Sequence, residues 1–185
     1  MLKYHGCSHA EVLNTVLTLN GILDPDKVQV RGVEVGVRSA ETSYYLLLHN
    51  PNLTLHLVDP YTPYNDCGTP FTQEMQDEVK KKARDRLRDI PTGDWIWHEQ
   101  PSLEAADQMI RNSVDFVFID AEHTYDACWA DMKAWYPVIR SGGVLSGHDF
   151  SMTPVKKAVT NFAQVMKLDL LTTEPSADVW AMQVP

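Results

Sequence analysis

The sequence predicts an α/β domain: a doubly wound, mostly parallel seven-stranded sheet that closes on a C-terminal antiparallel hairpin. Three observations predict it. Short β-branched or apolar runs alternate along the chain with stretches of helical periodicity, the pattern of strands joined by crossover helices. Several of those runs finish on polar side chains, Asp59, Asp120 and the pair His148-Asp149, which a parallel sheet would deliver to its carboxyl edge. The last two runs, Leu168–Thr173 and Val179–Val184, are joined only by Glu174–Asp178, a link too short for a crossover and suited to a hairpin.

The elements follow in order. Ser8-His9-Ala10-Glu11 has capping-box form and precedes Val12, Leu13, Val16 and Leu17 at helical spacing. Gly21 and Asp24-Pro25-Asp26 end this helix, and residues 1–27 form a covering helix and turn of one domain spanning residues 1–185. His5 and His9 read there as surface or packing histidines. Val28–Val37 is the first strand, Ala40–His49 a helix, and Thr54–Asp59 a second strand stopped by Pro60. Tyr61–Pro70, rich in Pro and polar residues, reads as a loop; Phe71–Ile90 is a charged helix ended by Pro91 and Gly93. Asp94–His98 is a third strand, and Ser102 is placed to cap a helix running to Arg111. Strand Val114–Ile119, helix Tyr125–Val138, a Gly142-Gly143 turn and strand Gly143–Gly147 complete the parallel part. Thr153-Pro154 then starts a helix to about Lys167.

Composition narrows the function classes. The chain of 185 residues is 44% hydrophobic and 22% charged, ordinary for a globular domain. No apolar run approaches the ~20 residues of a membrane span, and the first residues lack a secretory pattern, so the expected compartment is the cytoplasm. A net charge of −9 argues against nucleic acid as a partner. The one basic cluster, Lys80-Lys81-Lys82 with Arg84, Arg86 and Arg88, is interleaved with Asp77, Glu78, Asp85 and Asp89, the pattern of a solvated helix face. Cys7, Cys67 and Cys128 are odd in number and widely spaced, which suits neither a disulfide framework nor a structural zinc site.

Two groups of residues carry the chemistry. Gly36 follows the first strand at a strand-to-helix turn and admits close approach to a ligand, while Asp59, ending the next strand, is placed to accept from a ribose diol. A simple turn glycine and a turn acid fit the same residues. Asp120, His148 and Asp149 end two strands, and as neighbours in a parallel sheet those ends lie about 5 Å apart. Carboxylates suit Mg²⁺; an imidazole widens the choice to Mn²⁺, Fe²⁺ or Zn²⁺. His123 stands three residues beyond Asp120 and titrates near neutrality when unperturbed. Helix capping and packing remain open for Asp120 and His123.

The stretches VEVGVRSAETSYYLL, LHLVDPY and VDFVFIDAEHTYDACWADMKAWYPVIRSGGVLSGHDF resemble the class I S-adenosylmethionine-dependent methyltransferases. They are most similar to the branch of macrolide-sugar O-methyltransferases and cephalosporin hydroxylase-like proteins, over about Val28 to Phe162. The resemblance implies a Rossmann-like methyltransferase fold. It implies that Glu34 and Gly36 lie by the methionine and ribose of S-adenosylmethionine, with Arg38 in the same loop and Asp59 on the ribose hydroxyls. Ser102 and Leu103 would border the adenine, Tyr61 the cofactor, and Asp120 would face both cofactor and metal. Arg38 and Ala40 stand where the family's motif often has further glycines. The metal set would be Asp120, His148 and Asp149, with His148 where the family usually has an acid or amide, and His123 would be the general base.

The function expected is therefore methyl transfer from S-adenosylmethionine to a small hydroxylated acceptor, assisted by a divalent metal, most simply Mg²⁺. The expected protein is a monomer or homodimer that binds neither nucleic acid nor membrane. Two alternatives stay open: a metal-dependent hydrolase or hydroxylase-like enzyme on the same scaffold, and a non-catalytic cofactor-binding module.

Overall fold

A computed structural model describes residues 8–174 and 176–185; His5, Cys7 and the side chain of the capping-box Ser8 lie outside the described residues. Helix α1 (Ser8–Leu19) precedes strand β1 (Val30–Val35), helix α2 (Glu41–His49) and strand β2 (Leu53–Val58). Next come two short strands, β3 (Tyr64–Asp66) and β4 (Thr69–Phe71), then α3 (Gln73–Leu87), β5 (Asp94–His98) and α4 (Ser102–Gln108). The chain closes with β6 (Val114–Ile119), α5 (Tyr125–Trp135), β7 (Ile139–Gly147), α6 (Thr153–Met166), β8 (Leu170–Thr172) and β9 (Trp180–Gln183). A single 3₁₀ turn, Tyr136–Val138, connects α5 to β7.

Seven strands form one sheet in the order β5-β2-β1-β6-β7-β9-β8, which is the architecture expected from the alternation of patterns. All pairings from β5 to β7 are parallel, and β9 runs antiparallel to both β7 and β8. The strand order reverses at β1, which neighbours β2 on one side and β6 on the other. A crevice opens at such a switch point.

Strand alternation sorts the core onto two faces. Phe116 and Phe118 of β6 pack with Leu13, Leu17, Leu46 and Leu55 under α1 and α2. Val117 and Ile119 point the other way, toward Met132, Trp135 and Phe162 of α5 and α6. Both phenylalanines are fully buried, each contributing roughly 1.5–3 kcal/mol of transfer free energy. Gly32 makes this possible, because a β-carbon there would stand 2.2 Å from the Phe116 ring.

Three local expectations are corrected. The stretch read as a loop holds the β3–β4 hairpin, turned by Cys67 (φ 48°) and Gly68 (φ 91°). Two successive positive-φ residues match the twist of a two-residue hairpin; strands of three residues with a cysteine at the turn hide that signal. The Gly142-Gly143 turn lies inside β7, since Val114 pairs with Ile139 and Phe116 with Val144, so β7 bulges between them. Ser102 does not cap α4. The helix opens at Ser102 after Pro101, and the hydroxyl is engaged elsewhere.

Candidate active site

The sheet's hydrogen bonding runs one residue past the strand ends. Gly36 N donates to Val58 O (2.9 Å), Asp59 N to His98 O (3.2 Å), Asp120 N to Val35 O (2.8 Å) and His148 N to Ile119 O (3.1 Å). These bonds carry the residues beyond β1, β2, β6 and β7 to one edge. There a cavity of about 640 Å³ is lined by Glu34, Gly36, Arg38, Asp59, Ser102 and Leu103 on one side. Asp120, His123, His148 and Asp149 line the other.

The loop after β1 is shaped by backbone conformation. Gly36 has φ +89°, and Arg38 (φ 49°) and Ala40 (φ 56°) are also left-handed. A non-glycine residue in that region costs about 1–2 kcal/mol, so the surroundings hold this loop against intrinsic preference. Asp59 supplies much of that hold. Its Oδ2 accepts from Arg38 N and its Oδ1 from Tyr61 N, each at 2.8 Å. Tyr61 OH donates to Arg38 O (3.0 Å), and Arg86 donates to Ser39 O. Tyr61 is buried, φ +48°, behind the loop rather than in the cavity wall. Arg38 engages Asp59 through its amide, while its side chain is exposed.

Burial raises the Asp59 carboxyl above its usual range, partly offset by the amides of Arg38, Tyr61 and Val37. Glu34 is more extreme. It is 2% exposed and accepts a hydrogen bond from the Ser43 hydroxyl. Burial, reinforced by Asp120 and Asp59, pushes it up to about 8 despite that bond. At the far end the Ser102 hydroxyl donates to Asp131 Oδ1 (2.5 Å) and accepts from Trp135 Nε1 (2.9 Å). Leu103 is 49% exposed on the cavity wall, an apolar surface on which a flat base can lie.

On the other side four titratable side chains converge. His123 Nε2 is 2.7 Å from Asp149 Oδ2 and 3.7 Å from Asp120 Oδ1. His148 Nδ1 is 3.0 Å from Asp149 Oδ2 and 3.8 Å from Asp120 Oδ1. Thr124, accepting from Ala127 N, caps α5; Glu122 accepts from the Thr124 hydroxyl (2.8 Å) and so has a loop role. Asp149 adopts φ +57°, which turns the chain sharply where β7 ends.

Ring orientation at His123 is set by Asp66. His123 N donates to Asp66 Oδ1 (2.9 Å), and Nδ1 lies 2.5 Å from Asp66 Oδ2. A carboxylate only accepts, so Nδ1 carries a proton. Nε2 is buried and has no hydrogen-bond partner among the described residues; the short contact to Asp149 is off the hydrogen-bond line. Burial lowers the affinity of His123 for a proton, but the close carboxylates of Asp120, Asp149 and Asp66 outweigh it and raise the ring to about 11. For His148 too burial lowers, and Asp149 and Asp120 raise, with a net upward shift. Burial raises Asp149, but the two histidines hold it well below the usual carboxylate range.

Ligand atoms of Asp120, His123 and Asp149 all lie within 4.8 Å of one another. Two carboxylates beside an imidazole fit a divalent cation by donor chemistry, and His123 stands in this group where the sequence expectation had His148. His148 stands beside this group, bonded to Asp149. Sequence reading missed Asp66, because nothing in a polar loop marks one acid as the partner of a histidine 57 positions away. His9 packs, as expected, but against the site: its ring centroid is 4.3 Å from that of His148 and its Nε2 is 2.9 Å from Thr42 Oγ1. Tyr64 and Phe71, stacked across the hairpin at 4.8 Å, line the cavity mouth.

Fold and cavity together define a doubly wound scaffold with its ligand site at the switch point, the arrangement of adenosyl-cofactor enzymes. The chain belongs to the methyltransferase-domain family, whose sequence profile matches residues 33–150, and is an S-adenosylmethionine-dependent methyltransferase. No curated protein sequence matches it. Among solved structures it is similar to the O-methyltransferase NovP, at 16% identity over 96% of this chain and 79% of that one, TM-score 0.68. It is also similar to CalS11, a calicheamicin methyltransferase, at 13% identity over 98% and 80%, TM-score 0.62. A putative caffeoyl-CoA O-methyltransferase from Staphylococcus aureus matches at 13% identity over 94% and 80%, TM-score 0.59. At these identities the likeness is one of fold.

Proposed function

We propose that this protein methylates a hydroxyl oxygen of a small acceptor, with a divalent cation held by Asp120, Asp149 and His148 and with His123 as general base. The observation that carries the reading is the buried Nε2 of His123, which makes no aligned hydrogen bond among the described residues and faces Asp149 and Asp120 beside the loop after β1. When bound, S-adenosylmethionine supplies a methyl group on a sulfonium that departs as a neutral thioether, and the cation supplies positive charge that acidifies a nearby hydroxyl. Glu34, the Gly36–Arg38 backbone and Asp59 bind the methionine and ribose end; Ser102 and Leu103 border the adenine. His123 Nε2 takes the acceptor's proton as the oxygen forms its bond to the methyl carbon. Tyr64 and Phe71 orient the acceptor and limit water.

A small acceptor, rather than nucleic acid, is supported by the net charge of −9 and by α3. Lys80, Lys82, Arg84, Arg86 and Arg88 are all paired with carboxylates there. Among the described residues no helix is long and apolar enough to cross a membrane. The reading includes a cytoplasmic enzyme working as a monomer or homodimer. Imidazole donors admit Mn²⁺, Fe²⁺ or Zn²⁺ beside Mg²⁺, and elemental analysis of protein purified without added metal distinguishes them.

The test is calorimetry with S-adenosylhomocysteine followed by turnover on a panel of hydroxylated small molecules with each metal. Binding together with a methyl ether product is expected. Binding accompanied only by N- or C-methylated products would overturn the oxygen assignment.

A further inference from the structure

Asp66 reaches the site from outside the main sheet. It ends β3, and in the hairpin register Tyr64 pairs with Phe71 and Asp66 with Thr69. Tyr64 and Asp66, two apart on a strand, share one face, and both line the cavity. The Asp66 side chain is only 11% exposed, and both of its oxygens are used on one residue, taking the backbone N–H and the Nδ1–H of His123.

We propose that Asp66 is the positioning residue for His123, holding the ring in the Nδ1–H form so that Nε2 points at the acceptor hydroxyl. The inference rests on the reading of His123 as general base. Two acceptor atoms on one rigid carboxylate fix both the backbone and the ring plane, leaving the side chain little freedom about χ1 and χ2. Because the same hairpin carries Tyr64 and Phe71, docking of the acceptor wall and orientation of the base are one structural event. An aspartate elsewhere on the hairpin would supply charge without this coupling.

A double-mutant cycle tests it. Asp66→Asn is isosteric, and its unfolding midpoint checks that the hairpin is intact. It is expected to lower kcat by about 10–100-fold, the usual cost of removing an outer partner of a site histidine, with KM for S-adenosylmethionine unchanged. In a His123→Ala background the same change is expected to do nothing further, and Asp66→Glu is expected to recover part of the rate. Equal losses in both backgrounds would mean that Asp66 acts on the fold and not through His123. A second readout needs no turnover. In ligand-free protein with ¹⁵N-labelled histidine, His123 Nδ1–H should give a protected downfield resonance that Asp66→Ala removes. Persistence of that resonance in Asp66→Ala overturns the proposal. A wild type that shows the resonance but never transfers a methyl group keeps the pairing and sinks the methyl-transfer reading.

Discussion

A β-carbon on Gly36 would lie 2.0 Å from the carbonyl oxygen of Asp120. The loop after β1 and the end of β6 are thus in backbone contact at the switch point, and each limits where the other can go. Gly36 is required twice over, since its φ of +89° is also closed to other residues at low cost.

Gly36→Ala should therefore disturb both halves of the site at once. Strain and displacement of the Asp120 strand end should cost about 2–4 kcal/mol. Thermal unfolding should show the loss of stability. Calorimetry should show S-adenosylhomocysteine and Mn²⁺ both binding more weakly. Loss of cofactor affinity alone, with metal affinity intact, would show that the two strand ends move independently.

Arg38→Gly separates backbone from side chain. The amide bond to Asp59 survives the substitution, and the left-handed strain at φ 49° is relieved, so the variant should be more stable by about 1 kcal/mol. Its affinity for S-adenosylhomocysteine should match the wild type, because the exposed guanidinium makes no contact with the carboxylate. A tenfold weaker affinity would assign the side chain a direct cofactor contact.

Metal removal bears on His123. Against the effect of burial, contacts with Asp120, Asp149 and Asp66 raise the ring to about 11, so it holds its proton at neutral pH. A cation that engages Asp120 and Asp149 competes with that proton. Chelation should abolish turnover, and metal binding near pH 7 should release up to about one proton. Calorimetry in two buffers of different ionisation heat measures the release, and His123→Ala should reduce it.

Far from the chemistry, His56 and His98 lie side by side on β2 and β5, with Nδ1 and Nε2 2.8 Å apart. Burial, then His98 and Arg31, depress His56 to about 4; burial also lowers His98. The unfolded chain takes up these protons near pH 6.5 and the folded one does not. Their contribution is thus complete above about pH 6.5 and is lost as pH falls toward 4. Buried acids with raised affinity, such as Glu34 at about 8 and Asp131 at about 6, act in the opposite sense, so the effect must be read as a difference. Between pH 6.5 and 4 the wild type should lose stability relative to His56→Gln, as followed by thermal unfolding.

Much of this protein was determined locally. Val114–Ile119, VDFVFI, is buried along its whole length, and such a run codes for a central parallel strand wherever it sits. Strand ends inherit their place from that logic, which is why Gly36, Asp59, Asp120 and His148-Asp149 were legible as one edge of a sheet. Ladder hydrogen bonds carry them there whatever the rest of the chain does.

Tertiary structure decided what those residues touch. Ser102 faces Asp131 and Trp135 instead of capping its own helix, because α5 packs against α4 there. Glu34 is pushed up to about 8 chiefly by burial, with Asp120 and Asp59, distant in sequence, adding to the shift. His123 is oriented by Asp66, on a hairpin too short to leave a periodic trace. Hydrophobic pattern and backbone preference act within a few residues and can be read from neighbours in the chain. Proton affinity, ring orientation and cavity walls depend on contacts between distant segments, and these exist only once the chain has folded.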